Sequence, residues 1–476
     1  MHVTTPNPVG NSDAAWRPDD QHSFFLAAMV WVLIVLMIVP EGFDYQSLTA
    51  ATDAPTSGGA ISRTLWAGLL MVSAMLVLWR GGLAWLLART VNPFFLLFVV
   101  LAMASAAWSI DPSLSVRRLV RLATITLVCI AFVLMGWHAR RYQNVVRPIL
   151  TLMLLGSIVF GLIFPELAIH HETSAELAGA WRGLANHKNG LGALSSITLI
   201  FWFHAWLTHD VKLVSALTGG VIAGTCLLLS RSSTSLAVTL FVMSVLLLLL
   251  RSPERWRSYM PYVVATLVTL LLIYALAILN LIPGWGTLMA PITAFTGKDV
   301  TLTGRTDIWA IISDHISRHP LLGTGYGAYW TAGPMVGTDS YEFMERMNQF
   351  YPGSAHNGYL EIVNDLGWVG LLCLIGYIIT HVRQSLQLLG IDRNHGALFL
   401  ALFFQQAITN LSETHWFSVL SVDFIIMTLA TMALARSLLE YRLRIAFGEP
   451  LAATPDPVNS MALPLAQKTL APGNGA

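Results

Sequence analysis

Charge is scarce in this chain. Asp, Glu, Lys and Arg together make up 11% of the 476 residues, and 27 basic side chains nearly cancel 26 acidic ones. A net charge of +1 leaves no basic footprint for a nucleic acid, so none is expected as a partner. Cysteine is scarcer still: Cys129, Cys226 and Cys373 all lie inside apolar runs, where a small buried thiol is the ordinary reading and neither a disulfide framework nor a metal site follows. The first 23 residues set Asp13, Asp19 and Asp20 against Arg17 and lack the positive start of a cleavable signal peptide, so the first apolar run is expected to remain as a span. No Asp-rich spacing suited to a divalent ion occurs, and His187, His356 and Glu413 stand on separate segments, so no metal and no cofactor is expected. The glycines of GTGYG at 323–327 follow no strand and precede no Lys-Ser or Lys-Thr pair; they mark a sharp turn rather than a nucleotide loop.

Hydrophobic residues, at 55%, fill the rest. Apolar runs recur along the whole length at about 24–40, 62–79, 92–108, 116–136, 145–164, 190–207, 213–230, 235–250, 260–282, 366–382, 396–411 and 416–436. Each is long enough to cross a hydrocarbon layer about 30 Å thick, some with little tilt. Because lipid offers backbone groups no hydrogen bonds, runs of this length are expected as helices rather than barrel strands. The predicted fold is all-α: a polytopic bundle of about twelve transmembrane helices with a large periplasmic loop, 283–365, carrying short helices near 306–318 and 356–366. Residues 1–23 are expected as a cytoplasmic segment, 24–447 as the membrane domain, and 448–476, rich in Ala, Pro, Thr and Asn, as a disordered cytoplasmic tail.

With a cytoplasmic N-terminus, twelve spans place Arg80, Arg89, Arg140, Arg141, Arg147, Lys212, Arg251, Arg255, Arg257, Arg383, Arg393, Arg436, Arg442 and Arg444 on the cytoplasmic side, as the positive-inside bias requires. The exceptions are Arg117, Arg118, Arg121, Arg182, Lys188, Arg231 and Arg305. Arg117, Arg118 and Arg121 can snorkel to the outer interface. Arg182, Arg231 and Arg305 instead stand in the Gly- and Ser-rich settings WRGLANHKNG, LSRSSTS and LTGRTDIW, which suit an anionic ligand on the outer face. A guanidinium stays ionised and offers paired donors to phosphate oxygens, whereas Lys188 would supply a point charge. After Arg305, Ile308, Trp309, Ile312 and Ile316 fall at helical spacing before Pro320, which puts a helix N-terminus beside the arginine. His356, in SAHNGYLE, is the candidate proton acceptor, with Glu413 in NLSETHW as a substitute base.

Six motifs carry a resemblance across Trp181 to Gly370 and just upstream: WSIDPSLSVRR at 108–118, RGLANHKNGLG at 182–192, SRSSTS at 230–235, GRTDIW at 304–309, HPLLGTGYGAYW at 319–330 and HNGYLEIVNDLGWVG at 356–370. Their order and spacing resemble the superfamily of O-antigen ligases and of O-antigen and exopolysaccharide polymerases, the Wzy/WaaL-like or ExoQ-like group. The resemblance implies a metal-independent, inverting glycosyltransferase in the bacterial inner membrane with its active site on the periplasmic side. Its donor would be a polyprenyl-diphosphate-linked glycan and its acceptor a second saccharide, with other polysaccharide export and assembly proteins as partners. Carried onto this chain, Arg182 and Arg305 would hold the donor diphosphate and His356 would activate the acceptor hydroxyl, with Arg231, Lys188 and Glu413 as further substrate-binding candidates. Within that group the SRSSTS and HKNG runs look closer to the exopolysaccharide polymerases than to the ligases that act on lipid A core. A transporter of lipid-linked saccharides is the reading from another class. It is disfavoured because the polar groups gather at one face and no internal repeat is visible.

Overall fold

A computed structural model of the protein describes residues 20–38, 60–171, 177–185, 187–279, 305–331 and 337–447. The expected N-terminal segment up to residue 19, the expected tail 448–476 and the first part of the expected outer loop, 280–304, lie outside the described residues. Among the described residues the chain is helical and holds no strand, only an isolated antiparallel bridge between Ile169 and Trp181. In chain order the helices are α1 (Asp20–Ile38), α2 (Ala60–Trp79), α3 (Gly81–Ala88), α4 (Pro93–Ala104), α5 (Pro112–Leu134), α6 (Arg141–Ile163), α7 (Pro165–Ala168), α8 (Lys188–Leu207), α9 (Leu213–Leu229), α10 (Ser233–Arg251), α11 (Glu254–Arg257), α12 (Met260–Ile278), α13 (Arg305–Arg318), α14 (Asp339–Arg346), α15 (Gly358–Ile391), α16 (Arg393–Thr409) and α17 (Val422–Ala446).

Helices lie at each of the twelve expected positions, but among the described residues seven are both long and apolar enough to cross a membrane by themselves: α2, α6, α8, α10, α12, α15 and α17. The pair α3 and α4, bent by 105°, makes an eighth if counted as one broken span. α1 over Phe24–Ile38 and α9 are apolar but shorter. α5 departs from the pattern because Arg117, Arg118 and Arg121 lie in its first half. Arg121 stacks over Trp66 at 5.5 Å, and Arg118 Nη2 donates to the carbonyl of Trp330 at 3.0 Å, so these arginines are held by the protein.

Burial sorts the bundle. α17 has 83% of its apolar window inside the protein and α2 only 22%. α8, α15, α16 and α17 therefore form the centre, and α2, α10 and α12 the rim. Leu78, Val214, Leu162 and Leu372 are at least 66% exposed and face where lipid belongs.

One break positions everything above it. α15 is interrupted at Gly367, whose φ 64 and ψ −165 no side-chain-bearing residue adopts without strain. Breaking a helix frees backbone groups, and here the GTGYG segment takes them up. Trp368 N donates to Pro320 O at 2.9 Å, while Thr324 N and Gly325 N donate to the carbonyls of Asn364 and Asp365 at 3.2 and 2.9 Å. The expected turn is thus a plug seated in a helix break, and the expected short helix at 356–366 and span at 366–382 are the two halves of α15.

Candidate functional site: an Arg–Glu–His cluster at four helix ends

The site begins with how α15 starts. Asn357 caps it, its side-chain oxygen accepting from Tyr359 N and Leu360 N at 3.0 Å each. Gly358 N donates to Asn410 O at 2.9 Å, and a Cβ at Gly358 would lie 1.8 Å from the Asn410 side-chain oxygen, so only glycine permits this approach. Asn410 also accepts from His415 N and Trp416 N, at 2.8 and 2.7 Å, which shapes the turn between α16 and α17 that carries Glu413. His356, just ahead of the cap, has φ 47. That left-handed conformation turns it out of the helix line.

Glu413 joins the helix ends. Its Oε1 accepts from Arg305 Nη2 at 3.0 Å, at the first residue of α13, and from Asn189 Nδ2 at 2.7 Å, in the first turn of α8. Its Oε2 lies 3.5 Å from His356 Nδ1. The side chains of Arg305 and Glu413 are 18% and 16% exposed, so the pair is partly shielded from water while the neighbouring imidazole, at 28%, stays accessible. Burial by itself would raise the Glu413 carboxyl, but the hydrogen bond and charge of His356, together with Arg305 and His415, outweigh it and hold it at about 2. Glu413 is then an anion that can only accept, so His356 Nδ1 is the donor in this pair; in the neutral form of the ring that leaves Nε2 as the acceptor. His415, behind this turn, lies 3.0 Å from Asp423, which raises its pKa despite burial.

His187 caps α8, its Nδ1 accepting from Asn189 N at 3.3 Å, and its ring meets His170 edge-on at 5.1 Å. Burial, helped by His170, pushes its pKa down to about 4, so it is neutral at physiological pH.

Of the residues singled out in the sequence, Arg305, His356 and Glu413 meet here. The others take places around them. Arg182 is buried, with Nε donating to Leu167 O at 2.8 Å on the hairpin next to α7. Arg231, φ 50, donates to Ala178 O at 2.8 Å and stays exposed over the loop that leads into Arg182. Lys188 N donates to His170 Nε2 at 3.2 Å. Sequence reading gave no role to Asn189 or to neutral His187; the signal was their place in the HKNG run beside a basic residue. An open, mostly apolar cavity of about 500 Å³, lined by Ser233, Thr234, Ala237, Val238, Phe241 and Ile408, runs between the start of α10 and the end of α16, next to Arg231 and the Glu413 turn in the chain. Among the described residues no group of three or more His, Cys, Asp or Glu is placed to hold a metal ion.

Fold and site together define a multi-pass membrane protein with a partly shielded Arg–Glu–His cluster at the ends of its central helices. Residues 218–375 match the family model described as O-Antigen ligase (Wzy_C), a stretch that includes Arg231, Arg305 and His356 but not Arg182 or Glu413. Over 364 residues the chain is 29% identical to the exopolysaccharide production protein ExoQ of Rhizobium meliloti (strain 1021), covering 72% of this chain and 76% of that protein. The match over residues 218–375 agrees with the resemblance that the motifs in that stretch carry.

Proposed function

We propose that this protein polymerises polyprenyl-diphosphate-linked oligosaccharide repeat units at the periplasmic face of the inner membrane. The observation that carries the reading is the Glu413 carboxylate shared between His356 Nδ1 and Arg305, a base oriented by an acid next to a phosphate-binding cation. The acceptor hydroxyl gives its proton to His356 Nε2 as its oxygen attacks the donor's anomeric carbon from the face opposite the leaving group. The glycosyl–phosphate C–O bond breaks, and its electron pair stays on the lipid diphosphate. Arg305 and Arg182 meet that growing charge, and Arg231 and Lys188 lie on its approach. Preorganised guanidinium groups in a partly shielded site need no metal for this. The 3.5 Å separation of His356 and Glu413 is long, as is common before substrate binds, and closes in the complex. The apolar cavity beside α10 and α16 takes the prenyl chain.

A second reading is ligation of a finished glycan to lipid A core, which the description of the matching family favours. The name of the exopolysaccharide relative favours polymerisation. Purified protein reconstituted with a fluorescent polyprenyl-diphosphate oligosaccharide, with and without chelator, separates them. A ladder of longer lipid-linked products that persists in chelator is expected, and His356→Ala should slow it about 10²- to 10⁴-fold. Transfer only when lipid A core is supplied would shift the assignment to ligase. No transfer to any acceptor would return the protein to the transporter class.

A further inference from the structure

His356 is held in an uncommon conformation, and something other than its own helix must fix it. With φ 47 it sits in the left-handed region, which is strained for a residue with a Cβ and persists only where its surroundings dictate it. The exit is fixed by the Asn357 cap and by Gly358 N on Asn410 O. The approach is fixed at Ala355, which is fully buried. Ala355 N donates to Glu361 Oε2 at 2.7 Å, and Ala355 O accepts from Trp309 Nε1 at 2.9 Å. The carbonyl held by Trp309 belongs to the same peptide plane as His356 N, so the two bonds set the orientation from which the imidazole departs.

We propose that Glu361 is a positioning residue for His356, acting through the clamped Ala355 peptide, with Trp309 as the second jaw. The proposal rests on the reading of His356 as the base. Glu361 lies on the first turn of α15 and reaches back past the cap to a residue six positions earlier, where a capping box spans three. Its location is costly for a carboxylate: it is 7% exposed, and Asp365, one turn on and 5% exposed, adds a second buried acid. Arg118 acts electrostatically on both. A helix start needs no such arrangement, since Asn357 already caps α15. Trp309 lies on α13, the helix that begins at Arg305, so the same clamp keeps the base in register with the cation it faces across Glu413.

The distinguishing variants are Glu361→Gln, which keeps an acceptor for Ala355 N, and Glu361→Leu, which keeps the bulk and removes it. Glu361→Gln should retain at least about half of the turnover, whereas Glu361→Leu should lower kcat about 10- to 100-fold with donor KM within about 2-fold, the scale of a misplaced base. Trp309→Phe should show the same split more weakly. In a His356→Ala background, Glu361→Leu should change the residual rate by less than about 3-fold, because nothing remains to be positioned. Equal losses in both backgrounds, or Glu361→Gln as inactive as Glu361→Leu, would overturn the proposal. Backbone hydrogen exchange of the 354–358 peptide reads the clamp without reference to turnover, and no acceleration in Glu361→Leu would also overturn it. Full activity of His356→Ala alongside accelerated exchange would instead refute the proposed base and leave the clamp standing.

Discussion

Arg305 shows why residue chemistry matters more than charge at this site. One guanidinium nitrogen is taken by Glu413 at 3.0 Å, and the proposed mechanism gives the rest of the planar fork to the donor diphosphate; a lysine ammonium cannot serve both partners in that geometry. Arg305→Lys should therefore lower kcat/KM at least about 10-fold despite the retained charge, as measured with the lipid-linked donor. His187 gives a prediction about pH. Folding lowers its pKa from 6.5 to about 4, so between those values the unfolded chain binds more protons. The stability gained by keeping it neutral is complete above pH 6.5 and is lost as the pH falls towards 4. In detergent the protein should melt at lower temperature at pH 5 than at pH 7, by a margin equivalent to roughly 2 kcal/mol at this residue. His187→Asn keeps a cap for α8 and removes the titration, so it should narrow that difference; an unchanged difference would assign the acid sensitivity elsewhere. These residues were legible as types in the sequence, but their pairing was not. Glu413 is 57 residues from His356 and 108 from Arg305, and nothing in local spacing says that one carboxylate serves both.

At the scale of elements, the decisive feature is the junction of the GTGYG segment with α15. Gly367 has φ 64, and a Cβ there would lie 2.2 Å from the carbonyl oxygen of Leu321. Gly323 faces the reverse problem, its Cβ falling 2.4 Å from the backbone of Asp365. The two glycines allow two backbones to touch. Gly367→Ala should cost at least about 2 kcal/mol, from strain plus displacement of the plug. The check is a thermal melt in detergent alongside the membrane yield; wild-type values for both would mean that the junction can relax. α13 and the upper half of α15 were legible in outline, since Ile308, Ile312 and Ile316 keep helical spacing and Asn357 is a good cap. The break was not, because a glycine inside an apolar helix is common and its φ depends on which chain packs against it.

At the scale of the molecule, seven helices among the described residues are long and apolar enough to cross a membrane, or eight with the bent pair α3 and α4, against about twelve expected crossings. The difference comes from α5 with its three arginines, from α16, which is 17 residues long and lies in the interior, and from the short α1 and α9. A helix enclosed by others needs neither the length nor the apolar surface of one that faces lipid. Orientation is open to direct test with single cysteines on exposed loops. Glu345→Cys, in the expected outer loop 283–365, should react with a membrane-impermeant maleimide in cells with a permeabilised outer membrane, and Arg255→Cys, on the expected cytoplasmic side, only after lysis. Labelling of both from outside would refute the twelve-crossing arrangement.

What the sequence determined by itself is the all-helical membrane class, the approximate positions of the helices, and the candidate residues. Those rest on hydrophobic length and on motif chemistry, both of which are local. The tertiary structure alone decided that Glu413 is an ionised hub, that Asn189 and His187 border it, and that Glu361 and Trp309 grip the peptide before His356. Those relations join helix ends far apart in sequence, and which ends meet is fixed only when the central helices pack, because packing depends on the shapes of all their faces at once.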